Sequence, residues 1–449
     1  MKKSIFALFA ALLICAGASA QSFRSGYFLD NYVYGYRINP AQINQKSFAA
    51  LGFGNIDLQQ NSTIGMGTFL FPRNGKLVTG FNKAVSAQDF LGGLKNGMGI
   101  ALDESFNILS FGVAKKDKWM HTFEINVRVQ DYENLPYNLF AFLKQGGNQP
   151  YDISGIRAHV SAITDISYGY SRRISDKISV GGRAHFLLGV VNASVYTADS
   201  NISMTSSEAA VNANLYLQTS GLVKLSTKAD GTLDTHGISL KGNPIGGFGA
   251  GLDLGVEYQP IDGLHITAGI TELGFISWKY TTNLRSSTTL SYTGANITYN
   301  ADGSVKTDLQ AVLDKLKEAT HFKDDGAGQR MDLMPFNATL GARYKMPFYK
   351  PLSFGVLGTY HYGSVASTTW YDVRAAVTFS PAYIFSMTVN AGYGTFGPTF
   401  GGAMNLHLGP VNLLVGADSY LGKMGKLNGI PLPLGGFMLN AHFGLGFTF

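Results

Sequence analysis

Apolar and polar side chains alternate along runs of about ten residues through most of the chain from residue 104 to its end. In the run 370–379, for example, Tyr371 and Val373 lie on one face and Asp372 and Arg374 lie on the other. Successive side chains of a β-strand point to opposite faces, and a tilted strand needs about 10 residues to cross the hydrocarbon of a bilayer. The alternation therefore predicts an all-β fold, namely a transmembrane antiparallel β-barrel.

The composition separates this fold from a soluble sandwich. Charged residues make up 14% of the chain and aromatic residues 12%, whereas a soluble domain has roughly 25% charged residues. A soluble β-sandwich also alternates, but its water-facing side would carry many Lys and Glu. Here the polar faces carry mostly Gly, Ser, Thr and Asn with single charges. The composition favours a sheet with lipid on one face and water or packed polar groups on the other.

Residues 1–20 have the pattern of a secretory signal peptide. Two lysines precede an apolar core that is too short to span a bilayer, and the small residues Ala18-Ser19-Ala20 follow it. Cys15 is the only cysteine, so cleavage would leave a chain with no disulfide and no thiolate metal ligand. A signal peptide before a barrel pattern predicts the outer membrane of a Gram-negative bacterium.

The final strand-like segment carries an alternating apolar face that ends at Phe449. It resembles the terminal strand of outer-membrane proteins, whose last aromatic residue is recognised by the barrel-assembly machinery. We therefore expect two partners for the chain, outer-membrane lipid and the assembly machinery, the latter through the strand ending in Phe449. The positive charges form no cluster, and we expect no nucleic-acid partner.

Short connections alternate with other connections from residue 104 onward. The short ones lie near 115–118, 175–176, 259–263, 347–351, 380–381 and 409–410, and the others near 132–155, 197–247, 275–334, 363–368, 394–398 and 422–435. Outer-membrane barrels have short periplasmic turns and longer outer loops, so the C-terminus is predicted to be periplasmic. The barrel would comprise residues 47–449 with about 14 strands, or 16, because such barrels have even strand numbers.

Four segments do not fit the strand pattern. Residues 21–46 do not alternate and are predicted to be an N-terminal plug or a periplasmic segment. Residues 86–95, with Ser86 as N-cap, and residues 135–145 and 307–320 have apolar residues at helical spacing. We expect these three to be short helices in outer loops, where they either cover the barrel mouth or form a gate or ligand vestibule.

Ionisable residues on the polar faces are predicted to face the lumen, and both signs of charge are interleaved. Isolated charges in a low-dielectric interior are costly, so they must be paired or hydrated. They either form a salt-bridged lumen or a constriction that selects a solute. The lumen-facing candidates are Glu124, Arg128, Arg157, Asp165, Arg183, His185, Asp253, Glu257, Arg343, Lys345, His361, Asp372, Arg374 and Asp418.

No catalytic, cofactor or metal site is predicted. The sequence has no phosphate-binding loop, nucleophile elbow or metalloprotease helix. Five histidines are predicted to point inward without the close spacing of a metal site, namely His159, His185, His361, His407 and His442. We expect a protein that is not an enzyme, and a membrane-embedded hydrolase using His185 or His361 is the remaining enzymatic alternative.

Two parts of the sequence resemble known families. Asn39, Pro40 and Ala41 are similar to the start of the long-chain fatty-acid transporter-like barrels, in which an N-terminal segment plugs a 14-stranded barrel and hydrophobic substrates move through it. The resemblance makes these three residues plug candidates, although Asn39-Pro40 also fits a simple turn. Residues 136–146 and 166–181 resemble a large family of Gram-negative outer-membrane barrels that has no assigned function.

Together these features predict an outer-membrane barrel that passes or binds a small, hydrophobic solute, with residues 21–46 as its plug. The alternative is a non-transporting barrel that acts as a partner in protein secretion or surface attachment. The outer connections 197–247 and 275–334 would then supply the binding surface.

Overall fold

A computed structural model describes most of the chain after the predicted signal peptide. The described residues are 23–52, 55–74, 76–95, 97–145, 147–204, 208–228, 233–293, 298–299, 305–306, 322–326, 328–420, 422, 424–427 and 430–449. The predicted signal peptide and the predicted helix 307–320 lie outside the described residues. Among the described residues, no helix is long and apolar enough to span a bilayer.

Strands dominate the structure. The N-terminal half contains β1 (Phe48–Leu51), β2 (Asn55–Ser62), α1 (Met66–Phe69), β3 (Leu70–Arg73), β4 (Lys76–Thr79), α2 (Ala87–Gly92), β5 (Met98–Lys115), β6 (Trp119–Leu135), α3 (Tyr137–Gln145), β7 (Gly147–Asp152), β8 (Arg157–Ser175), β9 (Ile178–Met204), β10 (Glu208–Gly221), β11 (Lys224–Thr227), β12 (Leu233–Ser239) and β13 (Gly247–Tyr258). The C-terminal half contains β14 (Leu264–Thr293), β15 (Thr298–Tyr299), β16 (Val305–Lys306), β17 (Lys323–Asp324), β18 (Gln329–Leu333), β19 (Phe336–Lys345), β20 (Leu352–Tyr362), β21 (Trp370–Ala382), β22 (Phe385–Gly394), β23 (Gly397–Leu408), β24 (Val411–Tyr420), β25 (Met424–Leu427), β26 (Ile430–Pro433) and β27 (Phe437–Thr448).

The main sheet closes on itself as an antiparallel barrel. The first wall position is shared by β1 and β2, which pair with β5 on one side and with the last strand, β27, on the other. Every intervening neighbour pair is antiparallel, and the wall has 14 positions. The predicted transmembrane antiparallel barrel and its strand number are therefore confirmed.

The two faces of the wall differ in chemistry as the alternation predicts. Tyr371 and Val373 project outward and are more than half exposed, whereas Asp372 and Arg374 project inward and are buried. A continuous apolar outer face fits hydrocarbon, and polar inner side chains require partners in the lumen.

The barrel has a terminal end, where β1 begins, β27 ends and the short turns lie, and a loop end opposite it. At the terminal end, Phe48 pairs with Thr448, and Tyr383 and Ile384 connect β21 to β22. The turn predicted at 380–381 is displaced because β21 continues through Pro381 to Ala382. The connection predicted near 394–398 is a tight turn, since β22 ends at Gly394 and β23 begins at Gly397.

The predicted outer connections 197–247 and 275–334 contain much more strand than expected. β9 runs to Met204, β10 pairs with it, and β14 continues to Thr293, so these strands project beyond the wall at the loop end. β10 and β13 share one wall position between β9 and β14, and the chain leaves the wall between them. The outer part of β14 is mostly polar on both faces, which conceals it in the sequence, whereas β10 does alternate, with Val211, Ala213, Leu215 and Leu217 on one face, and was overlooked.

Two of the predicted helices are confirmed. α2 begins after Ser86, whose side chain accepts a hydrogen bond from the Asp89 backbone N–H, as the N-cap prediction required. α3 covers most of the predicted 135–145 segment. Phe90 of α2 and Phe140 of α3 pack in one apolar cluster at the loop end.

Candidate functional site

Residues 23–46, here called the luminal segment, lie inside the barrel. The segment contains two 3-10 turns, Arg24–Phe28 and Gly35–Arg37, and most of its side chains are buried. Its backbone carbonyls accept hydrogen bonds from the wall: Arg343 donates to Tyr27 and Leu29, both at 3.0 Å. Because a buried carbonyl without a partner is costly, these bonds fix the path of the segment across the lumen.

Aromatic side chains of the luminal segment form an apolar cluster inside the otherwise polar lumen. The cluster includes Phe23, Phe28, Tyr32, Tyr34, Tyr36 and Phe48. Burial raises the pKa of Tyr34 to about 12, so this phenol is neutral at physiological pH. The cluster therefore supplies the hydrophobic stabilisation that a polar lumen alone would lack.

Glycines in the wall make room for the luminal segment. A Cβ atom at Gly255 would lie 2.1 Å from Asn39 Oδ1, and one at Gly181 would lie 2.0 Å from the Pro40 carbonyl oxygen. These separations are shorter than non-bonded atoms tolerate, so only glycine permits this approach. The high glycine content is thus partly explained by the contents of the lumen.

The plug candidates Asn39, Pro40 and Ala41 form a compact turn against β8 and β13. The Asn39 side chain accepts from the Ala41 N–H at 2.9 Å and donates to the Val256 carbonyl at 3.0 Å. The Pro40 carbonyl accepts from Ser171 Oγ at 2.6 Å. The motif is therefore both the simple turn expected from its residues and an attachment to the wall.

Glu124 joins the luminal segment to the wall. Its Oε1 accepts from Tyr36 Oη at 2.7 Å and from Arg37 Nη2 at 2.7 Å, and its Oε2 accepts from Arg183 Nη2 at 2.5 Å. Arg37 also contacts Asp57 at 3.1 Å. Glu124 thus receives charge-assisted hydrogen bonds from both sides, which are the stronger kind.

Further lumen-facing candidates extend this network around the wall. Arg183 contacts Asp253 at 3.4 Å, His185 lies between Asp165 and Asp253 at 2.9 and 3.0 Å, and Arg128 contacts Asp165 at 3.2 Å. The space left among these side chains is about 30 Å³. Since one water needs about 10–15 Å³, the network has room for about two or three waters at most and for no larger solute.

Arg374 forms a second buried network on the opposite wall. It contacts Asp372 at 2.7 Å and Asp418 at 2.8 Å. Arg24 of the luminal segment lies 3.8 Å from Asp372, and its guanidinium stacks over Trp370 at 4.5 Å. The luminal segment is therefore held by ion pairs on this wall as well as at Glu124.

The remaining candidates are spread over three locations. Glu257 pairs with His265, and Lys345 pairs with Asp30, each at 2.9 Å, beside a polar opening of about 770 Å³ at the terminal end that Arg343 also lines. His361 Nδ1 forms a hydrogen bond with Asn337 Oδ1 at 2.9 Å, and the His361 ring stacks on Trp370. Arg157 lies apart from all of these, toward the loop end.

An apolar patch on the inner wall was not among the predicted lumen residues. Its members are Ile163, Leu187, Ile276, Trp278, Tyr280 and Met334. Ile163 and Leu187 are two positions from Asp165 and His185, so alternation already placed them inward. The inward orientation of Trp278 cannot be predicted by counting residues along β14, because Glu272 has a positive φ of 67° and shifts the alternation by one residue.

A cavity of about 140 Å³ lies beside this patch. It is lined by Gln130, Tyr132, Arg157, His159, Ser161, Ile163, Ile276, Trp278, Met331, Asp332, Leu333, Met334, Pro335, Tyr362 and Ser364. The lining includes inward side chains of β6, β8 and β14 and outward side chains of β18. The cavity therefore lies where the lumen meets the barrel wall.

The wall is interrupted at this cavity. β18 pairs with β14, and its other edge pairs with no strand among the described residues. The neighbouring connection 363–369 folds into the lumen instead, where Ser367 Oγ donates to Asn134 Oδ1 at 2.6 Å. Ser367 and Thr368 are buried there. This connection, the inward loop, occupies the lumen at the loop end and leaves the β18 edge uncovered.

Residues 40–418 match the model of a family of unknown function, DUF5723. The chain belongs to this family. The predicted resemblance to a barrel family without an assigned activity is thereby confirmed, and the DUF5723 match covers most of the wall together with the Asn39-Pro40-Ala41 turn from Pro40 onward. No curated protein matches the chain.

Several solved structures are similar to this DUF5723 barrel over nearly their whole length. They include a deltaS2S3 mutant of the TodX monoaromatic hydrocarbon channel (12% identity, TM-score 0.48, 96% of this chain and 97% of that chain). They also include the toluene transporter TbuX of Ralstonia pickettii (9%, 0.46, 96% and 99%) and a FadL homologue of Pseudomonas aeruginosa (10%, 0.47, 97% and 99%).

Proposed function

We propose that this protein is an outer-membrane barrel that binds a small hydrophobic molecule in the cavity beside Trp278 and passes it when the luminal segment moves. The observation that carries the proposal is an apolar patch next to a cavity at an interruption of the wall. Trp278 and the other members of the patch are already buried, and the exposed apolar side chains at the cavity are Met331 and Leu333 of β18, at the interruption itself.

The size of the cavity suits a molecule of one ring. The volume of the cavity, about 140 Å³, is close to that of an apolar cavity of about 150 Å³ that binds benzene, and polar side chains line part of it. Ile163, Ile276 and Met334 are its buried wall, and Met331 and Leu333 supply exposed apolar surface. A small hydrophobic molecule would gain free energy by leaving water for this site.

The uncovered β18 edge gives such a molecule an approach from the lipid side. Met331 and Leu333 project from β18 at 66% and 49% exposure and also line the cavity. A solute dissolved in the membrane would meet apolar side chains along this approach and would not cross the polar lumen first.

Passage beyond the cavity requires the luminal segment to move, and we propose that residues 21–46 are a plug. The Glu124 network leaves about 30 Å³, which is far less than a one-ring molecule needs. The ion pairs of Arg24 and Arg37 would hold the plug until it is displaced.

The orientation follows from the connections. The terminal end has the short turns, and in outer-membrane barrels these face the periplasm. We therefore propose that the C-terminus is periplasmic, that the uncovered β18 edge lies toward the outer leaflet, and that Phe449 is recognised by the assembly machinery.

A reversible tether tests this proposal. Asp30 of the luminal segment and Lys345 of β19 pair at 2.9 Å beside the opening at the terminal end, where a thiol reagent can reach both positions. In the double variant Asp30→Cys/Lys345→Cys, bridging of the two thiols by a reducible bifunctional reagent should stop uptake of a small hydrophobic dye into proteoliposomes, and reduction should restore it. Cys15 lies in the predicted signal peptide, so no other thiol competes.

The unbridged double variant is the control for the lost Asp30–Lys345 ion pair, and the reagent should not change uptake by either single variant. Equal uptake by the bridged and unbridged forms would contradict passage through the lumen. Binding of the dye without uptake in either form would leave a binding protein and remove the transport function.

A further inference from the structure

We propose that the outer face of the barrel binds an anionic phospholipid at the terminal end, with the lipid phosphate between Lys115 and Arg172 and the glycerol region against Trp119. In the proposed orientation this lipid belongs to the periplasmic leaflet. The site lies on the outside of the wall, so it is separate from the lumen and from the cavity beside Trp278. It combines outward cations with the aromatic side chains that mark the edge of a bilayer.

Lys115, Trp119 and Arg172 are neighbours across β5, β6 and β8. Lys115 pairs with Trp119, and Trp119 pairs with Arg172, so the three side chains share one face of the wall. Ala114 and Met120, which are next to them in sequence, pack in the luminal apolar cluster, so that shared face is the outer one. Adjacent strands are about 4.8 Å apart, which places the two exposed cations about 10 Å from each other with the indole between them.

An aromatic cluster begins at Trp119 and extends toward the loop end. The Trp119 and His121 rings are 5.2 Å apart, the His121 and Tyr170 rings are 4.7 Å apart, and His121 Nδ1 forms a hydrogen bond with Tyr168 Oη at 2.6 Å. Membrane barrels carry aromatic girdles where the hydrocarbon meets the headgroups. The two cations therefore lie at the level of the headgroups, and their long side chains can follow the wall to a phosphate.

The protein leaves these cations without an acidic partner. Among the described residues, neither Lys115 nor Arg172 forms an ion pair with a carboxylate. Asp117, the carboxylate nearest in sequence to Lys115, lines the opening inside the rim. A guanidinium can donate two hydrogen bonds to one phosphate, and an ammonium adds a point charge, so the pair suits a phosphodiester.

The positive charge is concentrated at this one part of the rim. Residues 115–118 and 172–177 contain six basic and two acidic side chains, and the two segments are adjacent because the Arg173 N–H donates to the Lys118 carbonyl at 2.9 Å. The other connections at the terminal end, 259–263, 346–351, 383–384 and 409–410, contain one cation, Lys350, which lines the opening. The segments are far apart in sequence, so this cluster appears only in the folded wall.

Quenching of Trp119 fluorescence by brominated lipid tests the site directly. Of the three tryptophans, Trp278 and Trp370 are almost fully buried inside the barrel, whereas Trp119 is partly exposed on the outer face. The protein in phosphatidylcholine vesicles would receive phosphatidylglycerol or phosphatidylcholine that is brominated high in the acyl chains. Brominated phosphatidylglycerol should reach half-maximal quenching at a mole fraction at least about fivefold lower, and added salt should reduce this preference.

Two controls separate the site from its surroundings. Trp119→Phe retains only the luminal tryptophans and should show no difference between the two lipids. The double variant Lys115→Gln/Arg172→Gln should be quenched equally by both lipids. The matched variant Lys46→Gln/Lys350→Gln removes the same charge from the same end of the barrel, but from side chains that line the opening, and should keep the preference of the parent.

Heat modifiability on gels shows that each variant has assembled. Equal quenching by the two lipids in the parent would overturn the proposal, and binding of soluble polyglutamate to that parent would assign the cations to an acidic protein instead. An undiminished preference in Lys115→Gln/Arg172→Gln, or an equal loss in the matched variant, would also overturn the site, because the preference would then follow another surface or net charge. None of these outcomes affects dye uptake, which tests the proposed function separately.

Discussion

Glu124 is the residue on which the contact between the luminal segment and the wall depends. It receives hydrogen bonds from Tyr36 and Arg37 on one side and from Arg183 on the other. All three partners are buried or nearly so. Removal of its charge would leave two guanidinium groups short of a partner, and a buried charge without its partner is far more costly than the pair itself is stabilising.

We expect Glu124→Gln to lower the free energy of unfolding by about 3–5 kcal/mol. The variant would be measured by urea unfolding of the barrel in lipid vesicles. Asp89→Asn is the matched control, because Asp89 pairs with Arg73 at 2.9 Å in an exposed ion pair, and such pairs contribute about 0–1 kcal/mol. Equal effects of the two substitutions would show that Glu124 does not hold the segment.

Asp30 gives the luminal segment a pH dependence that can be measured. Burial by itself raises the pKa of this carboxyl, but Arg343 and Lys345 lower it further, so the net pKa is below the ordinary value of 3.8. A carboxyl with a lowered folded-state pKa stabilises the fold above its unfolded pKa, and this stabilisation is lost as the pH falls through the folded-state pKa.

Stability should therefore decrease as the pH falls below about 4, and Asp30→Asn should remove the Asp30 part of that decrease. Unfolding free energies of the parent and the variant, measured from neutral pH to about pH 3, would show the difference. Parallel curves for the two proteins would mean that Asp30 is not paired in solution.

At the scale of elements, the wall strands and the luminal segment fit each other through glycine. Gly255 on β13 faces Asn39 so closely that a methyl group would displace the Asn39-Pro40 turn. Gly358 on β20 faces no such neighbour, since its nearest non-local atom would be 3.7 Å away, at ordinary contact distance. Gly255 lies on the inner face of the wall, whereas Gly358 lies on the outer face, between the inward Leu357 and Thr359.

Gly255→Ala should loosen the luminal segment and leave the barrel assembled, which would appear as raised conductance in planar bilayers. Gly358→Ala should change neither property. A Gly255→Ala barrel with the conductance of the parent would show that the Asn39-Pro40 turn does not limit flow through the lumen.

Much of the wall was predictable because a strand exposed to lipid on one face must alternate. The runs of β19, β21, β22 and β27 follow the sequence pattern residue by residue. Prediction failed in β14, whose outer part is mostly polar on both faces and where the bulge at Glu272 inverts the alternation, and it overlooked the alternation of β10.

The candidate site was predictable to a smaller extent. Alternation placed Glu124, Arg183 and Asp253 inside the barrel, but it carries no information about distance around the wall, so the contacts of Glu124 with Arg37 and Arg183 were not foreseeable. The cavity beside Trp278 depends on a connection, 363–369, that turns inward, and no local pattern in that short stretch indicates this.

At the scale of the whole molecule, assembly and stability depend on different parts of the last strand. Phe449 is 71% exposed, and its backbone N–H donates to the Ser47 carbonyl at 3.0 Å. Its side chain therefore contributes little to packing within the folded barrel, although the predicted recognition by the assembly machinery depends on it.

Phe449→Ala should reduce the amount of folded barrel in cells and leave the unfolding free energy of the refolded protein within about 0.5 kcal/mol of the parent. Heat modifiability on gels measures the first quantity and urea unfolding in vesicles the second. A large loss of stability in the refolded protein would instead assign Phe449 a packing role.

The seam between β1 and β27 sets an order of events for folding. Phe48 and Thr448 are paired although 400 positions separate them, and the luminal segment ends only one residue before β1 begins. Contacts this distant in sequence form late, so the barrel stays open until nearly all of its strands have joined the sheet. The luminal segment has to settle among the inner side chains during that interval, because afterwards the only way in is through the ends. If β1 and β27 paired too early, the luminal segment would be left outside the barrel. The charged wall side chains that pair with the segment would then face one another in an empty lumen.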